Sequence, residues 1–166
     1  MLVWPLKFVK THRWFLLLVC TCLLLGGCRG VSFTLADGES LRWSDLRGQW
    51  VFINYWAPWC KPCIEEIPQL NEVHAAGQAV VLGVNFDQPA VGALQQQMRK
   101  LSIEFPVLQH DPAGILDYER PQVLPTTLIF DPQGHYRGAL LGPQTAESLR
   151  AVQLPRSSAS EITQDE

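Results

Sequence analysis

Val51-Phe-Ile-Asn-Tyr-Trp56 runs through Ala57-Pro58-Trp59-Cys60-Lys61-Pro62-Cys63 into Ile64-Glu-Glu-Ile-Pro-Gln-Leu-Asn-Glu-Val73. The first stretch is almost continuously apolar, as in a strand buried on both faces. The last reads as a helix. Two cysteines three residues apart sit at the junction, which puts Cys60 at the helix N-terminus and Cys63 one turn inside it. Helical residues i and i+3 share a face, with Cβ atoms about 5–6 Å apart. A disulfide needs about 3.5–4.5 Å, so a small local adjustment closes a Cys60–Cys63 bridge. Unpaired backbone N–H groups and the positive end of the helix dipole stabilise a thiolate at Cys60. Lys61 adds positive charge beside it. A dithiol placed in this way points to thiol–disulfide exchange, with Cys60 as nucleophile and the more enclosed Cys63 as resolving thiol.

Other uses of the spacing fit less well. A zinc site needs two further ligands, and no second CxxC or paired histidines follow; His74, His110 and His135 are scattered and are assigned to surface or loop. Haem attachment requires histidine at position 64, which is Ile. No metal or other cofactor is expected. An inert staple is a poor reading, because a bridge closing so short a loop restricts the unfolded chain little. Glu66 follows Cys63 by three residues and shares its face. Buried there, its carboxyl would titrate at higher pH and shuttle the proton of the resolving thiol. Glu65 points about 100° away, toward solvent. Trp59 offers an apolar contact for substrate, Trp56 packs below the dithiol, and Pro62 stiffens the turn.

Residues 1–27 read as an export signal. Lys7, Lys10 and Arg13 form a basic start, and Trp14–Leu25 is a 12-residue apolar core. That is short for a membrane span, which needs about 20 residues, and suits a signal. Leu25-Gly-Gly-Cys28 resembles a bacterial lipobox, which implies a lipid-modified Cys28 as the mature N-terminus. The alternative is an uncleaved N-terminal anchor. Either way the domain is tethered outside the cytoplasm, on the periplasmic side of a bacterial membrane. Cys20 and Cys22 leave with the signal and Cys28 carries lipid, so of five cysteines only Cys60 and Cys63 remain for redox work. Loss of the signal leaves 10 basic against 16 acidic residues, a net charge of about −6. An acidic domain without a basic cluster argues against nucleic-acid binding.

The rest of the chain alternates strand and helix. Residues 29–50 form a lead-in with a turn at Asp37-Gly38. The helix from Cys60 runs to about Ala75 through Pro68 and ends at Gly77. Ala79–Phe86 is a second buried strand, and Pro89–Leu101 a helix with Pro89 in its first turn. Phe105–Gln109 is extended and Gly114–Glu119 a short helical turn. Pro125–Phe130 and His135–Leu141 pair through Pro132-Gln-Gly134, and Thr145–Val152 is a terminal helix. From residue 154 to 166 the chain reads as a polar, flexible tail. This order gives an α/β domain with a mixed sheet.

Asn54-Tyr-Trp-Ala-Pro-Trp-Cys-Lys-Pro-Cys63 resembles the active-site segment of thioredoxin-fold proteins, more narrowly the exported TlpA/ResA-type disulfide reductases. Phe33–Leu41 and Ser44–Gly48 look like that group's N-terminal β-hairpin and lead-in loop. Glu66-Ile-Pro68 matches its acidic residue and helix proline, and Val123-Leu-Pro-Thr-Thr-Leu-Ile-Phe130 its cis-proline strand. The resemblance covers about residues 31–153. It implies a thioredoxin fold, a central mixed β-sheet flanked by helices with a β-hairpin extension, over residues 28–153. It implies a cis Pro125 facing the dithiol, and a Leu124 backbone that pairs with substrate. Thioredoxin itself has a buried Asp where this chain has Asn54; Asn cannot titrate, which leaves the acid's role to Glu66. The group's partners are protein thiols and disulfides, apocytochrome c before haem attachment among them, and its electrons come from a membrane thiol-reductant donor. A monomer is expected.

Three competing readings remain. A disulfide oxidase or isomerase would run the same chemistry in the other direction, and Lys61 favours it by stabilising the thiolate. A peroxiredoxin-like peroxidase needs Thr or Ser three residues before its reactive cysteine, and position 57 is Ala. A redox-inert binding module would keep the fold without the chemistry.

Overall fold

The structure, a computed structural model, describes residues 30–154. The export signal, Cys28 and the tail beyond Leu154 lie outside these residues.

Five strands form the central sheet: β3 (Val51–Trp56), β4 (Val80–Asn85), β5 (Val107–Leu108), β6 (Thr126–Phe130) and β7 (Tyr136–Leu141), in the order β5-β4-β3-β6-β7. β3, β4 and β5 run parallel, while β6 and β7 run antiparallel to their neighbours, so the sheet is mixed. Helices α1 (Lys61–Ala75), α2 (Val91–Leu101), α3 (Ala113–Leu116) and α4 (Ala146–Gln153) connect and flank it. A separate hairpin, β1 (Ser32–Thr34) with β2 (Ser40–Arg42), precedes the sheet. This is the thioredoxin fold with an N-terminal hairpin extension. Among the described residues no helix is long and apolar enough to cross a membrane.

Both faces of β3 are covered, which is why its sequence reads as an unbroken apolar run. Side chains alternate along the strand. Phe52 and Trp56 join Ile67, Leu70 and Val73 of α1, Leu94 of α2 and Leu149 of α4 in one cluster. Val51, Ile53 and Tyr55 join Phe33, Leu35, Trp43 and Leu46 in the other. The hairpin extension therefore supplies the second cover. Its closing segment, expected to be a loop, is a 3-10 turn at Trp43–Leu46 that buries Trp43 and Leu46. Trp43 meets Phe130 edge-on, with ring centroids 5.1 Å apart.

Several boundaries differ from the sequence reading. α2 starts at Val91, not Pro89, because the turn after β4 takes up the intervening residues. Gln88 there is left-handed (φ 51), and its side-chain amide donates to the Asn85 carbonyl. The extended segment before α3 shortens to the two-residue β5. α3 ends at Leu116, since Asp117 is left-handed (φ 54). His74 is not on a loop: it lies half-buried in the last turn of α1.

Gly83 of β4, beside Asn54 in the sheet, shows how tightly the layer beneath the site is packed. A Cβ there would lie 2.9 Å from Val107 Cγ2, 3.0 Å from Phe105 Cε2 and 3.1 Å from Trp56 Nε1. Gly83→Ala should therefore destabilise by about 1–3 kcal/mol, the usual range for overpacking. Urea midpoints check this; an unchanged midpoint would mean that Val107, Phe105 and Trp56 give way together at little cost.

Candidate active site

α1 begins where β3 has just left the sheet, so its N-terminus stands at the carboxyl edge of the central strand. Cys60 is the N-cap in extended conformation, Lys61 is the first helical residue and Pro62 follows in the first turn, where the missing N–H has no intrahelical partner to lose. The Cys60 Sγ accepts the backbone N–H of Cys63 at 3.3 Å, as an N-cap side chain does. Cys60 and Cys63 are joined as a disulfide, with Cα atoms 5.3 Å apart. Cys60 is 6% exposed and Cys63 1%, so Cys60 is the more accessible of the two residues.

One turn further on, Glu66 is 2% exposed, and both its oxygens are held. Asn54 Nδ2, from the middle of β3, donates to Oε1 at 2.7 Å. The backbone N–H of Gln144, between β7 and α4, donates to Oε2 at 2.7 Å. Burial disfavours the ionised form and outweighs these two hydrogen bonds, which favour it. The Glu66 carboxyl is accordingly pushed up to about 7.

The Leu124–Pro125 peptide bond is cis. Pro125 is buried at the start of β6, and its carbonyl accepts the Gly142 N–H at 2.9 Å. Thr126 Oγ1 donates to the Val123 carbonyl and closes the preceding turn. Leu124 is half-buried, and Val123 beside it is exposed. β6 runs antiparallel to β3, so this turn lies at the same sheet edge as the N-terminus of α1.

Two tryptophans flank the disulfide in different ways. Trp59 is 63% exposed and donates its indole N–H to Asp87 Oδ2 at 2.8 Å. Trp56 is buried in the cluster that holds both cysteines, and its indole N–H finds no hydrogen-bond partner among the described residues. Lys61 lies 3.7 Å from Glu65, and both side chains are largely exposed.

Cys60, Cys63, Glu66 and Trp56 share the α1 end of the sheet with Trp59 and the cis-Pro125 turn, and three partners there carry no mark in the local sequence pattern. Asn54, which cannot titrate, meets Glu66 only through the packing of β3 against α1. Gln144 acts through its backbone and leaves no mark in the sequence. Asp87 is 28 residues from Trp59 and reaches it only through the turn after β4.

Residues 27–138 match the AhpC/TSA family. The chain belongs to the AhpC/TSA family. It is similar to the thiol-disulfide oxidoreductase ResA of Geobacillus kaustophilus, at 32% identity over 128 residues, covering 74% of this chain and 73% of that one. ResA of Bacillus subtilis is 32% identical over 124 residues, covering 72% and 69%. Among solved structures, a secreted thiol-disulfide isomerase from Corynebacterium glutamicum superposes with a TM-score of 0.63 at 28% identity, covering 76% of this chain and 82% of that one. This AhpC/TSA-family chain is a thiol–disulfide oxidoreductase, and its CxxC pair stands at the helix N-terminus where such chemistry is favoured.

Proposed function

We propose that the chain is an extracytoplasmic, membrane-tethered disulfide reductase that acts on protein substrates. Buried Glu66, on the same helical face as Cys63, is the observation that carries this reading. A carboxyl that titrates near neutral pH suits proton transfer with a thiol, because it takes and returns protons at working pH.

In the reduced enzyme, the Cys60 thiolate attacks one sulfur of a substrate disulfide. A Cys60–substrate bond forms and the other substrate sulfur leaves as a thiolate. Cys63 then gives its proton to Glu66 and attacks the Cys60 sulfur. The Cys60–Cys63 disulfide forms, the second substrate sulfur leaves, and two electrons have passed to the substrate. Re-reduction requires a thiol-reductant donor in the membrane. The Leu124 backbone and the face of Trp59 hold the substrate strand beside Cys60, and Pro125 shapes that turn. An export signal over 1–27 and lipid on Cys28 provide the tether. The CxxCH pair of apocytochrome c is a client of suitable chemistry.

A disulfide donor or isomerase is the second reading, and the positive charge of Lys61 favours it. Equilibration of the full-length chain with redox buffers distinguishes the two. A reductase has a potential near or below about −270 mV; a value near about −120 mV would mean a disulfide donor and reverse the direction of flow.

A further inference from the structure

We infer that Asn54 is a positioning residue for Glu66: its side-chain amide, fixed between Thr127 and the carboxylate, sets the pH at which Glu66 exchanges its proton during disulfide exchange. The inference rests on the proposed role of Glu66 as the proton acceptor of Cys63.

Asn54 is an unusual residue for its place. It sits mid-strand in β3, 1% exposed, between Phe52 and Trp56 on the face that packs against α1. An amide there is costly to bury unless it is hydrogen-bonded. Both Nδ2 hydrogens are used, one on Glu66 Oε1 at 2.7 Å and one on Thr127 Oγ1 at 3.0 Å. Thr127 is fully buried and lies directly opposite Asn54 in the β3–β6 register. The sheet thus holds the amide from one side while the amide holds the acid from the other. Rotating the amide would bring its oxygen against Oε1, which is tolerable only when Glu66 is protonated. The observed orientation serves either protonation state but favours the ionised acid, whose oxygen is the stronger acceptor.

The surroundings isolate this contact. β3 presents Asn54 to Glu66, β6 presents Thr127, and the segment before α4 presents the Gln144 N–H; all three are uncharged. On its own helix the titratable neighbour is Cys63. The charged side chains of α4 are engaged elsewhere or exposed: Arg150 pairs with Glu72, and Glu147 faces solvent. No charged group contributes to the displaced titration of Glu66, only burial against two donors. Gln144 donates from the backbone, so Asn54 is the donor that a side-chain change removes.

Asn54→Leu deletes the donor in a residue of similar size and should leave Glu66 protonated to higher pH. The inflection of the exchange rate would move up by about one pH unit, the worth of a hydrogen bond to a charged group. Exchange would then be about fivefold slower at pH 7 and largely recovered at pH 9. Asn54→Asp preserves the shape and serves if Asn54→Leu fails to fold. It places a second carboxyl against Oε1, so the pair retains one proton and the inflection again moves up. Two readouts on the full-length chain decide the matter. They are the pH profile of insulin disulfide reduction and the 13C carboxyl titration of Glu66 in the oxidised protein, with Glu66→Gln as the control that lacks both signals. A carboxyl titration and a rate inflection that move up together support the inference. A carboxyl that titrates at the same pH in the variants overturns it. If the carboxyl moves while the rate profile stays, Asn54 still tunes Glu66 but Glu66 is not the proton acceptor of Cys63.

Discussion

Cys63→Ser should arrest exchange at the mixed disulfide, and Cys60→Ser should abolish it. On the proposed mechanism, the covalent Cys60–substrate intermediate is cleared by Cys63, one helical turn away and close enough to bond Cys60. That proximity makes the second step intramolecular, and well-oriented intramolecular reactions have very high effective molarities. Serine offers no comparable nucleophile, so the mixed disulfide should outlive its wild-type counterpart by roughly three orders of magnitude or more. Cys60→Ser removes the thiol of the more accessible residue and should leave Cys63, 1% exposed, unable to reach a folded substrate. Neither change should unfold the domain, since the bridge closes a very short loop. The check is non-reducing electrophoresis and intact mass after mixing with a disulfide-bonded client: an adduct for Cys63→Ser that dithiothreitol releases, and none for Cys60→Ser. Equal trapping by both variants would remove the assigned order of attack. Absence of trapping, together with no insulin reduction by the wild type, would restore the redox-inert binding module.

The parts of this site legible in the sequence are local ones. Cys60, Cys63 and Glu66 lie within seven consecutive residues, and helix periodicity alone puts them on one side of α1. The cis Leu124–Pro125 bond had a different origin. A lone X–Pro is usually trans, so the cis bond is legible only through the resemblance of its Leu-Pro-Thr-Thr context. What escaped reading depends on register and packing. Asn54 meets Glu66 only because β3 alternates its side chains and α1 packs on the face that Asn54 shares with Trp56. Gln144 arrives from 78 residues away and contributes a backbone N–H, which any residue except proline carries. The same limit explains α2: Pro89 is a good first-turn residue by local rules, but the left-handed Gln88 is tied to Asn85 and also accepts the Asp111 N–H, which holds the turn open until Val91. The segment after the hairpin looks like a lead-in loop in the sequence, yet its Trp43 and Leu46 close the second core. Their importance follows from the uncovered second face of β3, which a linear pattern does not reveal.

Glu66→Gln should flatten two pH dependences that share one cause. The carboxyl titrates near 4.5 when unperturbed and near 7 in the folded chain, because burial outweighs its two hydrogen bonds. Below pH 4.5 the acid is protonated in both folded and unfolded chains, and its contribution to stability is fully present. Between 4.5 and 7 the unfolded chain loses the proton while the folded chain keeps it, so stability falls as pH rises. Above 7 both states are ionised and the slope ends. The span corresponds to about 3 kcal/mol at most. Glutamine cannot titrate, so urea unfolding of the oxidised chains at pH 5, 6, 7 and 8 should give curves for wild type and variant that converge or cross rather than run parallel. Exchange kinetics should change in the same pH range. A proton acceptor near pH 7 makes the attack of Cys63 rise through neutrality, and its loss should slow exchange at pH 7 by about 10²-fold, at the lower end for general-base catalysis. Parallel stability curves would mean that Glu66 is ionised throughout. Divergent stability curves with an unchanged rate profile would make the buried acid a structural group that holds the Gln144 segment against α1, and the proton of Cys63 would then leave directly to solvent.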